Sequence, residues 1–448
     1  MSVFSKLIPA PQKVKLGEGT YKLTSKTVKT NFDATNDFKY LLGELGLPVA
    51  SVCDCKADFL KMVIGEGCIT DATAPDNKEG YTLVLRENGA EITANTKEGI
   101  AFGLKTLIKL QELGEEIPQA TITDYPNLPF RGVHLCIFNP DDGTEKDDTS
   151  FESTMKVVKT AAMTGYNTVC VEFWGMFPNP RREYAYWPKA YTMDQVKALV
   201  SFIKDDLYME AFPCQNLTSH AGWSRIDSRK HVVLDQRPDL RDMWIPGGWC
   251  FATENPDTKE YLKDIMEELI IAFRNPKYFH ISTDKAFGFG SGLEDRTRPA
   301  DVLFMNHVTW LNTFLQERGI IPVMWNDMIY SSTDSLFWKM DKKMADYLPN
   351  NILMNVWTHN DPGEYWPDAV FFEDRGFKTV YSPFMHEGSI THMVEIANKA
   401  KNAEGILQTT WFCPIKALPY VSLSGGLQWS LVRPTDEDIS KAVDSWYK

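Results

Sequence analysis

The chain has 448 residues, 43% of them hydrophobic and 24% charged, which is ample apolar material for a packed core and excludes disordered and collagen-like classes. Against 60 acidic residues stand 47 basic ones, a net charge of −13. No sustained Lys/Arg stripe relieves that balance, so nucleic acids and anionic membranes are poor partners.

The first residues, MSVFSKLIPAPQKV, hold no apolar leader, and no stretch reaches about 18 uninterrupted apolar residues. The expectation is a cytoplasmic chain without membrane spans. Four of the eight cysteines (Cys53, Cys55, Cys68, Cys136, Cys170, Cys214, Cys250, Cys413) fall inside apolar runs, which suits reduced, buried thiols. Cys53 and Cys55 form only a C-x-C and no His pair stands at ligand spacing, so neither a metal nor a cofactor is expected.

Residues 1–125 read as a small α+β domain. Tyr81 to Arg86 and Ala90 to Asn95 are β-rich runs joined at Asn88-Gly89, a dipeptide suited to a tight hairpin. Ile100, Leu104, Leu107 and Ile108 then recur on one helical face able to cover that hairpin. The proline-interrupted segment IPQATITDYPNLPF reads as the passage to a second domain, 126–448.

In the second domain β-rich runs alternate with helix-length segments. Strands are expected at 130–138, 166–174, 208–214, 277–283, 320–326, 352–357, 378–382 and 405–411. Helices are expected at 151–163, 193–205, 258–273, 301–317, 389–401 and 435–447. Eight such repeats fit a (β/α)₈ TIM barrel, giving an α/β chain with a small α+β N-terminal domain. No G-x-G-x-x-G follows the first barrel strand, and GFGSG (288–292) reads as a loop.

Barrel enzymes draw their reacting groups from the carboxyl ends of strands. Those positions hold Asn139, Glu172, Trp174, Asn216, His220, Asp284, Lys285, Trp325, Asn326, Asp327, Trp357, His359 and Trp411. Tryptophans and carboxylates around one mouth suggest a sugar site, because indole stacks on the apolar C–H faces of a sugar while carboxylates accept from its hydroxyls. The competing readings are barrel packing for Trp325, Trp357 and Trp411, supporting ion pairs or loop bonds for Glu172 and Asp327, and structural histidines for His220 and His359.

The stretches IPAPQKV, EGIAFGLKTLIKL, ITDYPNLPFRGVHL, NTVCVEF, SHAGWSR, RKHVVLDQRPDL, FHISTDKA and PVMWNDM, in this order, resemble the family-20 glycoside hydrolases, the β-N-acetylhexosaminidases, most closely a short bacterial branch. The resemblance implies a non-catalytic α+β domain, a catalytic barrel and a carbohydrate partner, a glycoside of an amino sugar. It also implies substrate-assisted cleavage, in which the 2-acetamido oxygen is the nucleophile. The family signature H-x-G-G-D-E aligns with His280-Ile281-Ser282-Thr283-Asp284-Lys285. Asp284 then stands as the residue that orients the acetamido group, and Lys285 replaces the acid. Asn139 falls where the family places a sugar-gripping arginine. By the same resemblance Glu172, His220, His280, Trp325, Asp327, Trp357 and Trp411 surround the sugar. With a reference pKa near 10.4, roughly 6 units above glutamate, a lysine is a poor proton donor at neutral pH, so cleavage is expected to be impaired or altered. The alternative is a non-catalytic sugar-binding homologue.

Overall fold

The computed structural model describes residues 2–23, 27–48, 60–65, 78–141, 147–223, 228–332 and 340–448. Cys53, Cys55 and Cys68 lie outside them. The first unit is a six-stranded sheet, β1 (Lys13–Tyr21), β2 (Val28–Thr30), β3 (Leu60–Ile64), β4 (Tyr81–Arg86), β5 (Gly89–Ala94) and β6 (Ile117–Asp124), in the order β1-β6-β4-β5-β3-β2. The β4–β5 hairpin pairs antiparallel down to Arg86 opposite Gly89. Helix α1 (Lys39–Glu44) is short, and α2 (Lys97–Glu112) lies over the sheet with Ile100, Leu104, Leu107 and Ile108 buried. Close approach explains its two glycines. A Cβ on Gly103 would come within 2.6 Å of Ile92, and one on Gly99 within 2.5 Å of the Gly80 carbonyl.

Contrary to the expected passage between domains, residues 117–124 form β6, which pairs with β1 and β4, and only the segment after Asp124 leads to the second unit. Pro118 is accommodated because it sits at the second position of the strand, opposite Thr20, where the register of β1 breaks.

The second unit is a closed barrel of eight parallel strands: β7 (Phe130–Ile137), β8 (Thr168–Phe173), β9 (Glu210–Cys214), β10 (Tyr278–His280), β11 (Ile321–Trp325), β12 (Leu353–Trp357), β13 (Thr379–Ser382) and β14 (Ala403–Thr409), which pairs back to β7. Around it run α3 (Phe151–Met163), α4 (Met193–Ser201), α5 (Pro256–Ala272), α6 (Ala300–Gln316), α7 (Pro367–Glu373), α8 (Glu387–Lys399), α9 (Leu418–Ser430) and α10 (Asp436–Trp446). Ser150 caps α3, and Thr192 with Gln195 forms a capping box on α4. The barrel strands differ from their expected bounds by a residue or two at most ends, and two stop well short at the mouth. The fourth stops at His280 instead of Thr283, and the eighth stops at Thr409 instead of Trp411; the residues left over enter the mouth as irregular loop. Among the described residues no helix is long and apolar enough to cross a membrane.

Arg131, at the start of the barrel, ties the two units together. Its guanidinium donates to Glu79 Oε2 at 2.6 Å and to the carbonyls of Gly165 and Leu128, with no exposed surface. Asn167 donates to the other Glu79 oxygen at 2.9 Å. Removing one partner of a buried pair strands the other charge, at a cost of about 3–5 kcal/mol. Arg131→Met is therefore expected to lower the urea-unfolding free energy by about that amount, and the double variant with Glu79→Gln by less.

Candidate active site at the barrel mouth

Beyond β10 the chain cannot continue as a strand. Ser282, Thr283 and Lys285 have φ of +62°, +91° and +49°, in the left-handed region that side chains avoid and a β-branched residue avoids most. The turn is held against β11, where Trp325 N–H donates to the Ser282 carbonyl at 3.0 Å and Thr283 Oγ1 donates to the Trp325 carbonyl at 3.2 Å. Asp327 fixes its far end. One carboxylate oxygen accepts from the Lys285 backbone N–H at 2.9 Å, and the other accepts from Trp357 Nε1 at 3.1 Å.

This turn delivers Asp284 to the mouth, almost fully buried. Oδ1 accepts from Ser282 Oγ at 2.7 Å, while Oδ2 lies 3.1 Å from both His220 Nε2 and Lys285 Nζ. Burial by itself would raise the Asp284 pKa; the Lys285 ammonium, His220 and the Ser282 hydroxyl outweigh it and hold the carboxyl well below the usual range. Asp327 moves the other way. Burial, reinforced by the Asp284 charge, pushes it up to about 6 against the pull of Lys285 and its two N–H donors.

Lys285 Nζ also stands 4.4 Å from the Trp357 ring centroid and 5.8 Å from that of Trp411. An ammonium between two indoles and a carboxylate is stabilised by both cation–π attraction and charge pairing. Lys285 therefore faces the same space as Asp284. Trp249, from the long connection after β9, donates Nε1 to the Lys285 carbonyl at 2.7 Å and sets its ring 4.3 Å from His220.

The remaining candidates form a layer beneath. Glu172 accepts from His134 Nε2 at 2.8 Å and from Asn216 Nδ2 at 2.9 Å. Asn216 Oδ1 lies 2.8 Å from the Ser282 hydroxyl, so a polar chain runs from Glu172 to Asp284. His280 accepts from Ser282 N–H at 3.0 Å and contacts Asn355; burial, with His134 nearby, pushes its pKa down to about 3 despite the Asp284 charge. Trp325 is 1% exposed, its ring 4.5 Å from His280 and 5.5 Å from Trp411, whereas Trp411 is half-buried at the opening. Asn139 lies buried with Oδ1 accepting from the Asp141 N–H. The sequence singled out neither Ser282, Trp249 nor His134 as site residues. Trp249 could not be found by strand-end position, since it arrives on a loop.

Residues 5–125 match the family model described as glycosyl hydrolase family 20, domain 2. The fold of the whole chain is similar to that of three solved structures. One is a chitobiase from Flavobacterium johnsoniae (TM-score 0.71, 16% identity, covering 98% of this chain and 72% of that one). The second is a β-N-acetylhexosaminidase from Bacteroides fragilis (0.70, 15%, 95% and 91%). The third is an exo-β-N-acetylglucosaminidase from Vibrio harveyi solved with N-acetylglucosamine (0.72, 13%, 98% and 76%). The chain is thus a TIM-barrel protein with an N-terminal α+β unit. Its N-terminal unit matches the family-20 domain 2, and the whole shares the fold of the β-N-acetylhexosaminidases to which it is similar.

Proposed function

We propose that the barrel mouth binds a terminal β-linked N-acetylhexosamine and cleaves it by the substrate-assisted route, with the proton-donating step impaired. The observation that carries this reading is Asp284. It is buried, ionised and oriented by His220 and Ser282, beside the Lys285 ammonium that Trp357 and Trp411 face, at the strand end where the family signature aligns. A carboxylate in that state can accept from the acetamido N–H and steady the positive charge that builds as the amide oxygen attacks the anomeric carbon. Trp357 and Trp411 supply ring faces, and Trp325 lies beneath Trp411 as a floor.

At the next position the amide would meet Lys285. Its ammonium is a poor acid, and it already occupies Asp284 Oδ2. Without a general acid the aglycone has to leave as an anion, so turnover falls about 10²–10⁴-fold and depends steeply on the leaving group. The expected result is slow release of 4-nitrophenol from its N-acetyl-β-glucosaminide, slower release of poorer leaving groups, and loss of activity in Asp284→Asn. Turnover untouched by that substitution would contradict the reading. The second reading, a non-catalytic amino-sugar binder, is favoured by the Lys285–Asp284 ion pair and predicts saturable binding with no turnover for any leaving group.

A further inference from the structure

Deeper in the barrel, beneath Asp284 and joined to it through Asn216 and Ser282, lies a cluster of His134, Cys136, Glu172 and Cys214. The register of the first three barrel strands sets Cys136 beside Glu172 and Glu172 beside Cys214, one residue from each strand in a single row. His134, two residues before Cys136, reaches the same point. His134 Nε2 is 2.8 Å from Glu172 Oε2, and Cys136 Sγ is 3.3 Å from that oxygen and 3.7 Å from the imidazole nitrogen. Donor atoms of His134, Glu172 and Cys214 all lie within 4.8 Å of one another, and all four side chains are buried. Barrel interiors are ordinarily filled at such positions by branched aliphatic residues.

We propose that His134 Nε2, Cys136 Sγ, Glu172 Oε2 and Cys214 Sγ form a structural zinc site inside the barrel. Zinc bonds of about 2.0–2.3 Å in a tetrahedron place neighbouring donors about 3.3–3.8 Å apart, so His134 Nε2 and Glu172 Oε2, now 2.8 Å apart, part by about half an ångström, and Cys214 Sγ, within 4.8 Å of both, closes in by up to about 1 Å. Both thiols lose their protons to solvent when the ion enters. Two thiolates and the carboxylate against Zn²⁺ leave one negative charge, and Asn216 Nδ2 faces it by donating to the other Glu172 oxygen at 2.9 Å. Borderline-soft zinc suits mixed sulfur and nitrogen donors, where magnesium or calcium would require oxygen. Short-range spacing could not reveal the site, because its ligands sit on three strands and meet only through their register. The inference is independent of the carbohydrate reading.

The test is elemental analysis of the full chain purified without chelator from zinc-containing medium, together with the absorption spectrum of the cobalt-loaded chain. The expected result is one zinc per chain and a thiolate-to-cobalt charge-transfer band, both lost in the Cys136→Ser, Cys214→Ser double variant. A chain that holds no stoichiometric zinc and shows no such band overturns the proposal, as does zinc retained undiminished by a folded double variant. If that variant fails to fold, X-ray absorption on the unsubstituted chain decides: a shell containing sulfur supports the site, and a shell of oxygen and nitrogen alone overturns it.

Discussion

Replacing Lys285 with glutamate is expected to raise cleavage of N-acetyl-β-glucosaminides with poor leaving groups by about 10²–10⁴-fold, with a smaller gain for 4-nitrophenol, whose departure needs little protonation. Two physical changes act together. The substitution removes the ammonium that lies 3.1 Å from Asp284 Oδ2, which frees that oxygen for the substrate amide. It also sets a carboxyl beside the ionised Asp284 and within the reach of buried Asp327, and like charges raise a carboxyl pKa toward the range where a general acid works at neutral pH. The backbone cost is unchanged, because both side chains have to adopt φ of +49° at this position. A pH–rate profile gaining a descending alkaline limb would accompany the activity, as the new acid deprotonates. Absence of any gain would move the block elsewhere at the mouth, to Asn139 or to the strained Ser282-Thr283 turn.

The second large effect is acid lability. Burial pushes His280 down to about 3 and His231 and His307 each down to about 4, so all three are neutral in the folded chain at pH 5 while the unfolded chain, with a reference near 6.5, protonates them. A group whose folded pKa is depressed contributes stability that is present above its unfolded pKa and drains away as pH falls below it. For a histidine that window runs from about 6.5 down to the folded value. Each contributes a slope of about 1.4 kcal/mol per pH unit, about 4 for the three. Asp327, raised to about 6, works in the opposite sense between its unfolded value and 6, and buried Asp124 is likewise raised. Asp206 and Asp295, raised by burial as well, oppose the histidines in the same way, while Lys105, pushed down by burial to about 7, adds to their slope near pH 7, so the net slope lies below the histidine sum. Urea midpoints measured from pH 7 to pH 5 are expected to fall steadily, and less steeply in His307→Gln. A flat profile over that range would contradict the buried, neutral state assigned to these histidines.

What the sequence disclosed follows from which physical signals are local. Strands buried on both faces leave dense apolar runs, and α3 begins and ends where its capping serine and amphipathic spacing place it, so the alternation of the barrel was legible. By contrast α9, LPYVSLSGGLQWS, is buried on nearly all sides and has neither an apolar stripe nor a polar face, while its serines and glycines read as loop. The seven-residue α7 is too short to show a period. At the site, position in the chain pointed to Asp284, Lys285 and Asp327, because strand ends can be located from pattern alone. Their opposite charge states could not be read that way. The low pKa of Asp284 and the raised pKa of Asp327 depend on which cation and which N–H donors each meets in three dimensions. The same holds for Trp249, brought to Lys285 by a long loop, and for the Cys136, Glu172 and Cys214 row, brought together by strand register.

The most direct measurement is a calorimetric titration of the chain with N-acetylglucosamine and, separately, with glucose, repeated on Asp284→Asn. Saturable one-site binding of the acetamido sugar, little or none of glucose, and loss of the discrimination when the charge at 284 is removed are the expected results. Equal heats for the two sugars, or binding of N-acetylglucosamine unchanged in the asparagine variant, would contradict the amino-sugar reading.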